Sequence, residues 1–171
     1  GSTQGIGKAI AMEFASLGAN VTLFARDRTS MKAVMEELDT SKNQVHGMLA
    51  ADFRFPDQVG EVIEDFVKDE RPVHILVNNS GGPAPGLAID ADPNDFLNAF
   101  SQHLVCNQHL VQAVVPSMKK EKYGRIINVI STSVRTPIPN LGVSNTTRGA
   151  VASWAKTLSA ELGPYGITVN N

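Results

Sequence analysis

The chain has 171 residues, of which 42% are hydrophobic and 19% charged, and its formal net charge is −2. That balance suits one folded globular domain rather than a disordered or fibrous chain. No long basic run points to a nucleic-acid or membrane-surface partner, and no apolar stretch exceeds strand length, which argues against a membrane-spanning helix. The one cysteine, Cys106, has no partner for an internal disulfide, so a reducing, cytoplasmic setting is expected.

Gly1-Ser2-Thr3-Gln4-Gly5-Ile6-Gly7 is a glycine-rich turn that runs directly into a helix. Ile6, Ile10, Phe14 and Leu17 recur at helical spacing, and Ala9, Ala11 and Ala15 keep other positions small. Glycine lets backbone approach phosphate oxygens, and a helix starting there points free N–H groups at an anion. A P-loop is ruled out, because Ser2 stands where its first glycine belongs and Lys8 is followed by Ala9. The common G-x-G-x-x-G fingerprint is also absent. A glycine-rich turn with no ligand is the alternative.

Beyond the turn, Asn20 to Ala25 reads as a strand and Arg28 to Thr40 as a helix. Gln44 to Ala50 reads as a strand, and Pro56 to Asp69 as a helix with Val59, Ile63, Phe66 and Val67 on its apolar face. Val73 to Val77 is a short apolar strand of the buried parallel type. A Gly/Pro loop from Gly81 to Gly86 precedes a long helical region from about Asn94 to Lys120. Arg125 to Ile130 is a second buried strand, and Ser131 to Leu141 a loop holding Pro137 and Pro139. Val143 to Leu162 reads as a helix with Val151, Trp154, Leu158 and Leu162 on one face, and Ile167 to Asn170 begins a last strand. The sequon Asn145-Thr146-Thr147 is read as a chance match.

Alternating β and α units imply a parallel sheet covered by helices on both faces, a three-layer α/β/α arrangement. A phosphate turn of this kind follows a central strand, yet no strand stands before Gly1. Residues 1–171 are therefore expected to form one dinucleotide-binding domain that is an internal portion of a longer chain.

Five segments carry a family resemblance in order and at matching spacing. They are the opening turn, Asp52, Asn78-Asn79-Ser80-Gly81, Gly124 to Ser131, and Gly166-Ile167-Thr168-Val169-Asn170. Together they resemble the short-chain dehydrogenase/reductase family, close to its 3-oxoacyl-acyl-carrier-protein reductase branch. The resemblance covers essentially the whole chain. It implies a doubly wound Rossmann sheet of seven parallel strands, of which this chain supplies the second to the sixth and lacks the first and last. It also implies an oxidoreductase acting on a carbonyl or alcohol with a nicotinamide cofactor, assembled as a homodimer or homotetramer.

For the cofactor, Gly1, Ser2, Gln4, Gly5 and Ile6 are the turn residues set against the pyrophosphate. An NAD site calls for an acid at the end of the second family strand. Ala25 offers none, and Arg26 follows it with a planar fork suited to a 2′-phosphate, so NADP(H) is favoured over NAD(H). A solvated surface arginine is the alternative. Gln4 stands where NADP-dependent relatives often carry a basic residue. The resemblance sets Asp52 to accept from the adenine amino group with Phe53 against the ring; an aspartate that merely caps a turn is the alternative. It sets Asn79, Ser80 and Gly81 along the ribose.

The family's chemistry couples hydride transfer to proton transfer through a serine, a tyrosine, a lysine four residues on, and an asparagine in the preceding long helix. Ser131 matches the serine. Ser144 stands at the tyrosine position, Arg148 at the lysine position and His103 at the asparagine position. An unperturbed tyrosine has a pKa of about 10 and is tunable by a cation, whereas a serine hydroxyl is a far weaker acid. Arg148 can still bind ribose hydroxyls. His103 could serve as acid or relay, or make only a structural hydrogen bond. His103, Cys106 and His109 do not share one helix face, so no metal site is expected. Tyr123 and Tyr165, the only tyrosines, lie in turns outside the expected active site. A catalytically inactive cofactor-binding or assembly protein on the same fold is therefore the second reading.

Overall fold

The computed structural model describes residues 1–69 and 72–171. They group into two compact units, Gly1–Phe53 and Arg54–Asn171.

In the first unit, helix α1 (Gly5–Ser16) leads to strand β1 (Thr22–Ala25), helix α2 (Arg28–Glu37) and strand β2 (Gly47–Ala50). β1 and β2 pair in parallel, with Thr22 opposite Gly47 and Ala25 opposite Ala50. Asp27 caps α2, its Oδ1 accepting from the N–H groups of Thr29 at 2.7 Å and Ser30 at 3.1 Å. These bonds hold the carboxyl below its ordinary pKa. The core is Ala11, Ala15, Leu23, Ala25, Met31, Val34 and Leu38. The buried side of α1 is Gly7, Ala11 and Ala15. Ile6 and Leu17, which recur at helical spacing, are 60% and 67% exposed. Small residues face the unit's core and let α1 lie close to it. Helical spacing alone does not distinguish that alanine face from a face of large side chains.

The second unit runs α3 (Pro56–Lys68), β3 (Ile75–Asn78), α4 (Pro93–Phe100), α5 (Cys106–Glu121), β4 (Gly124–Asn128), α6 (Gly142–Leu162) and β5 (Ile167–Asn170). Its parallel sheet has the order β3-β4-β5. Central β4 alternates buried and half-buried residues, and Ile126 is fully buried. β3 is the outer strand of these three, and Ile75 is 36% exposed within the chain. Met118 and Val114 of α5 and Val151 of α6 are also buried. Each such side chain withdrawn from water contributes about 1.5–3 kcal/mol. α3 and α5 meet at Gly60, where an added Cβ would lie 2.8 Å from His109 Nδ1. The Trp154 indole of α6 donates to Gln108 Oε1 of α5 at 2.9 Å.

The long helical region expected from Asn94 to Lys120 is not one α-helix. Ser101–Val105 forms a π-helical turn between α4 and α5, with His103 at its centre. Within the expected loop after β4, Thr132–Val134 forms a 3₁₀ turn. The helix and strand order expected from sequence is present throughout, with ends shifted by a few residues. Among the described residues no helix is long and apolar enough to cross a membrane.

Candidate functional site

In the first unit the expected cofactor residues lie on the opening turn and beyond the carboxyl ends of β1 and β2. Gln4 precedes α1 in an extended conformation, with no side-chain hydrogen bond to the helix start. Gly5 has φ +52, a conformation that costs glycine nothing, and an added Cβ there would meet nothing within 4 Å. The turn is thus open on that side, and the first N–H groups of α1 have no intrahelical acceptor. Gly1, Gln4, Gly5 and Ile6 are exposed. Ser2 differs: its Oγ accepts from Phe24 N–H at 2.8 Å and donates to the Phe24 carbonyl at 3.2 Å. Its hydroxyl is committed to β1, which leaves its main chain for an anion.

Arg26 follows β1 and Asp52 follows β2. Arg26 Nη1 lies 4.0 Å from Asp52 Oδ2, and the arginine side chain is 71% exposed. A pair that long and that wet is weak, so it leaves the guanidinium available. Phe53 packs edge-on against Phe24, with centroids 5.2 Å apart at 72°.

In the second unit the expected catalytic residues gather beyond the carboxyl ends of β3 and β4, the edge at which open α/β sheets bind ligands. Asn78 ends β3 opposite Asn128 at the end of β4. Asn78 Nδ2 donates to Asn128 Oδ1 at 2.8 Å, and Asn128 Nδ2 lies 3.2 Å from the Asn170 carbonyl. This amide ladder ties the ends of all three strands together. Asn79 and Ser80 follow, half-buried, and Gly81 is exposed with open space around its Cα.

His103 is buried, and its Nδ1 lies 2.8 Å from Ser80 Oγ. Its Nε2 is buried without a hydrogen-bond partner. Burial, and secondarily the Arg148 cation, push its pKa down to about 4. The ring is therefore neutral at pH 7. A neutral imidazole can still relay a proton between its two nitrogens.

Arg148 lies on α6, and its Nη1 donates to the Val129 carbonyl at 3.2 Å. Its Nη2 comes within 4.0 Å of a Cβ built on Gly82. Among the described residues no carboxylate pairs with it. Burial lowers its pKa, though an arginine stays charged. Ser144 lies one helical turn before Arg148 on the same face of α6, half-buried. Ser131 Oγ accepts from Ser133 N–H at 3.1 Å, capping the 3₁₀ turn. Nearby, Asn145 fixes the preceding loop by accepting from Ile138 N–H at 3.4 Å and donating to the Ile138 carbonyl at 2.9 Å.

Sequence reasoning missed three features here. The Ser80–His103 bond depends on the π-helical turn, which aims the ring at β3. Gln102 Nε2 donates to the Gly81 carbonyl at 2.9 Å and holds the glycine loop against the same turn. A cavity of about 360 Å³ opens beside them, bounded by Pro83, Leu87, Asp90, Asp95, Gln102 and Val143. Only the stiff Gly/Pro loop signalled its edge. Among the described residues no group of His, Cys, Asp and Glu could hold a metal ion.

Comparison with known proteins follows the same lines. A profile of the family described as short chain dehydrogenase matches residues 1–171. The chain is 31% identical to the 3-oxoacyl-acyl-carrier-protein reductase FabG of Staphylococcus epidermidis, over 99% of this chain and 70% of that protein. The L-sorbose reductase of Gluconobacter frateurii, solved with NADPH and L-sorbose, superposes with a TM-score of 0.92 at 28% identity, covering 99% of this chain and 65% of that one. The chain is also 28% identical to the inactive hydroxysteroid dehydrogenase-like protein 1 of Homo sapiens, over 100% of this chain and 52% of that protein. It thus spans between about half and 70% of these relatives.

Proposed function

The chain belongs to the short chain dehydrogenase family, of the NAD(P)-dependent oxidoreductases, and we propose that it uses NADP(H) to interconvert a small carbonyl compound and its alcohol through an altered proton path. The observation that carries this reading is the cluster of Ser80, His103 and Arg148 at the carboxyl edge of β3 and β4, with an uncompensated cation at its centre.

The residues present suit the cofactor in each unit taken by itself. The open backbone around Gly5, with Gly1, Gln4 and Ile6, would cradle the pyrophosphate on the free N–H groups of α1. Ser2 would contribute through its main chain. Arg26 would hold the 2′-phosphate by its fork. Asp52 and Phe53 would face the adenine. In the second unit Asn79, Ser80 and Gly81 would line the nicotinamide ribose, and Arg148 would donate to its hydroxyls.

When bound, the reduced nicotinamide supplies a hydride. Ser131 would hold the substrate oxygen by its hydroxyl. Ser144, across from it in the family pattern, would pass that oxygen a proton drawn from water. The neutral Ser80–His103 pair would carry protons without changing its net charge. A homodimer or homotetramer through α4, α5 and α6 fits the exposure of Leu97 (64%) and Phe100 (43%), and a cytoplasmic setting fits a chain whose one cysteine cannot form an internal disulfide.

The test is to titrate the protein with NADPH and NADH by fluorescence, then assay turnover over ketones, aldehydes and alcohols. NADPH binding with turnover supports the proposal. Tight NADPH binding with no turnover anywhere favours the second reading, a cofactor-binding protein without catalysis. That reading draws support from the weak acidity of Ser144 and the depressed His103.

A further inference from the structure

We propose that Arg148 also selects the substrate, by binding a carboxylate next to the carbonyl that reacts, so that the natural substrates are oxo acids and their hydroxy acids. The inference rests on the oxidoreductase reading above and names the substrate class of that same site.

A guanidinium carries five N–H donors in a planar fork. Arg148 spends one on the Val129 carbonyl at 3.2 Å. No carboxylate among the described residues answers its charge, although the group is half-buried. Burying a cation without a counter-ion is costly, so the arrangement is one that an incoming anion relieves. A ribose diol is neutral and leaves that charge unanswered. A carboxylate answers it and matches the fork's geometry.

A second observation points to the same place. His103 Nε2 is a buried polar atom with no partner, and the ring lies close enough to Arg148 for its cation to act on it. With Ser80 donating to Nδ1, Nε2 carries a proton and becomes a further donor toward an anion. A cavity of about 360 Å³ is walled in part by Gln102 and Val143, the chain neighbours of His103 and Ser144. Its charged groups are Asp90 and Asp95. The reaction balances as oxo acid plus NADPH plus a proton from water giving hydroxy acid plus NADP⁺.

The test is binding rather than turnover. The protein is titrated calorimetrically, with and without NADP⁺, with 2-oxobutanoate, 2-butanone and inorganic phosphate. The proposal expects 2-oxobutanoate to bind about tenfold or more tighter than 2-butanone. It expects Arg148→Gln to remove that preference and Arg148→Lys, which keeps the charge but not the fork, to restore part of it. Thermal melting of both variants checks that they remain folded. Equal binding of acid and ketone overturns the proposal, as does an acid preference that survives in Arg148→Gln. Phosphate binding as tightly as 2-oxobutanoate and losing affinity in the same variant overturns it too, by making this a phosphate site. A parallel turnover assay with NADPH keeps the readings apart: failure of the oxidoreductase reading removes turnover of every carbonyl and alcohol tested, whereas failure of this inference leaves turnover of uncharged carbonyls intact.

Discussion

Lowering the pH from 8 to 5 should destabilise the protein through His103, and replacing that residue should abolish the effect. His103 is 1% exposed and its pKa falls from 6.5 to about 4 on folding. Desolvation by burial is the larger cause, and the Arg148 cation adds to it. As the pH falls, the unfolded imidazole takes up a proton near 6.5 while the folded one stays neutral until about 4. The unfolded state therefore binds more protons in that window, and stability drops with pH. The contribution is complete above 6.5 and is lost between 6.5 and about 4. These two values give a loss of about 2 kcal/mol at pH 5 and about 3 kcal/mol at pH 4, to the nearest unit. Other groups titrate in the same range, so the quantity to follow is a difference. Urea unfolding of the wild type and of His103→Asn at several pH values gives it directly. The wild type should lose about 2 kcal/mol more than the variant between pH 8 and pH 5. A level difference across that range would show that the ring is not desolvated, and would remove the argument for a neutral relay.

Two further perturbations test separate parts of the structure. Gly142 N–H donates to the Gly86 carbonyl at 2.9 Å, and an added Cβ at Gly142 would run into the main chain of Ala88. Gly142→Ala should thus cost about 1–3 kcal/mol in denaturant unfolding, and an unchanged midpoint would refute the close approach. Arg26→Ala should weaken NADPH binding about tenfold or more while leaving NADH binding unchanged, since only NADPH carries the phosphate. Equal loss for both cofactors would assign Arg26 another role.

The order of strands and helices was legible in the residues because each element announces itself locally. β4 announces itself by Ile126 and Ile127, and α2 begins at an aspartate that caps it. What was not legible depends on distant residues. The order β3-β4-β5 is one such property, since no segment states which strand it pairs with. The alanine face of α1 is buried because small side chains allow close packing, a property of the partner surface as much as of the helix. The π-helical turn at Ser101–Val105 inserts one extra residue per turn into a pattern that otherwise reads as a continuous helix. That insertion sets the direction of His103, and so the Ser80 contact was invisible in the spacing. The candidate site was legible as a set of positions, Ser131, Ser144, Arg148 and His103, but their protonation was not, because it follows from burial.

Protonation also decides how the rate of turnover should respond to pH. A tyrosine beside a lysine places a titrating acid within reach of neutral pH, and such an acid bends the pH–rate profile. Here Ser144 and Arg148 do not titrate in that range, and His103 does so only near 4. With the proton arriving from water, the rate under saturating cofactor and substrate should stay level from about pH 6 to pH 9. Small buffer acids should accelerate it, because they are far stronger acids than the water from which Ser144 draws its proton. A profile bending near neutral pH, or indifference to buffer concentration at fixed pH, would mean that a titrating side chain outside Ser131, Ser144, Arg148 and His103 reaches the substrate oxygen. Tyr123 and Tyr165 do not fill that role from where they stand: Tyr123 lies against Arg125, its ring 4.2 Å from the guanidinium carbon, and Tyr165 against Lys119, its ring 4.2 Å from Nζ. Both flank the starts of β4 and β5, at the opposite edge of the sheet from Ser131.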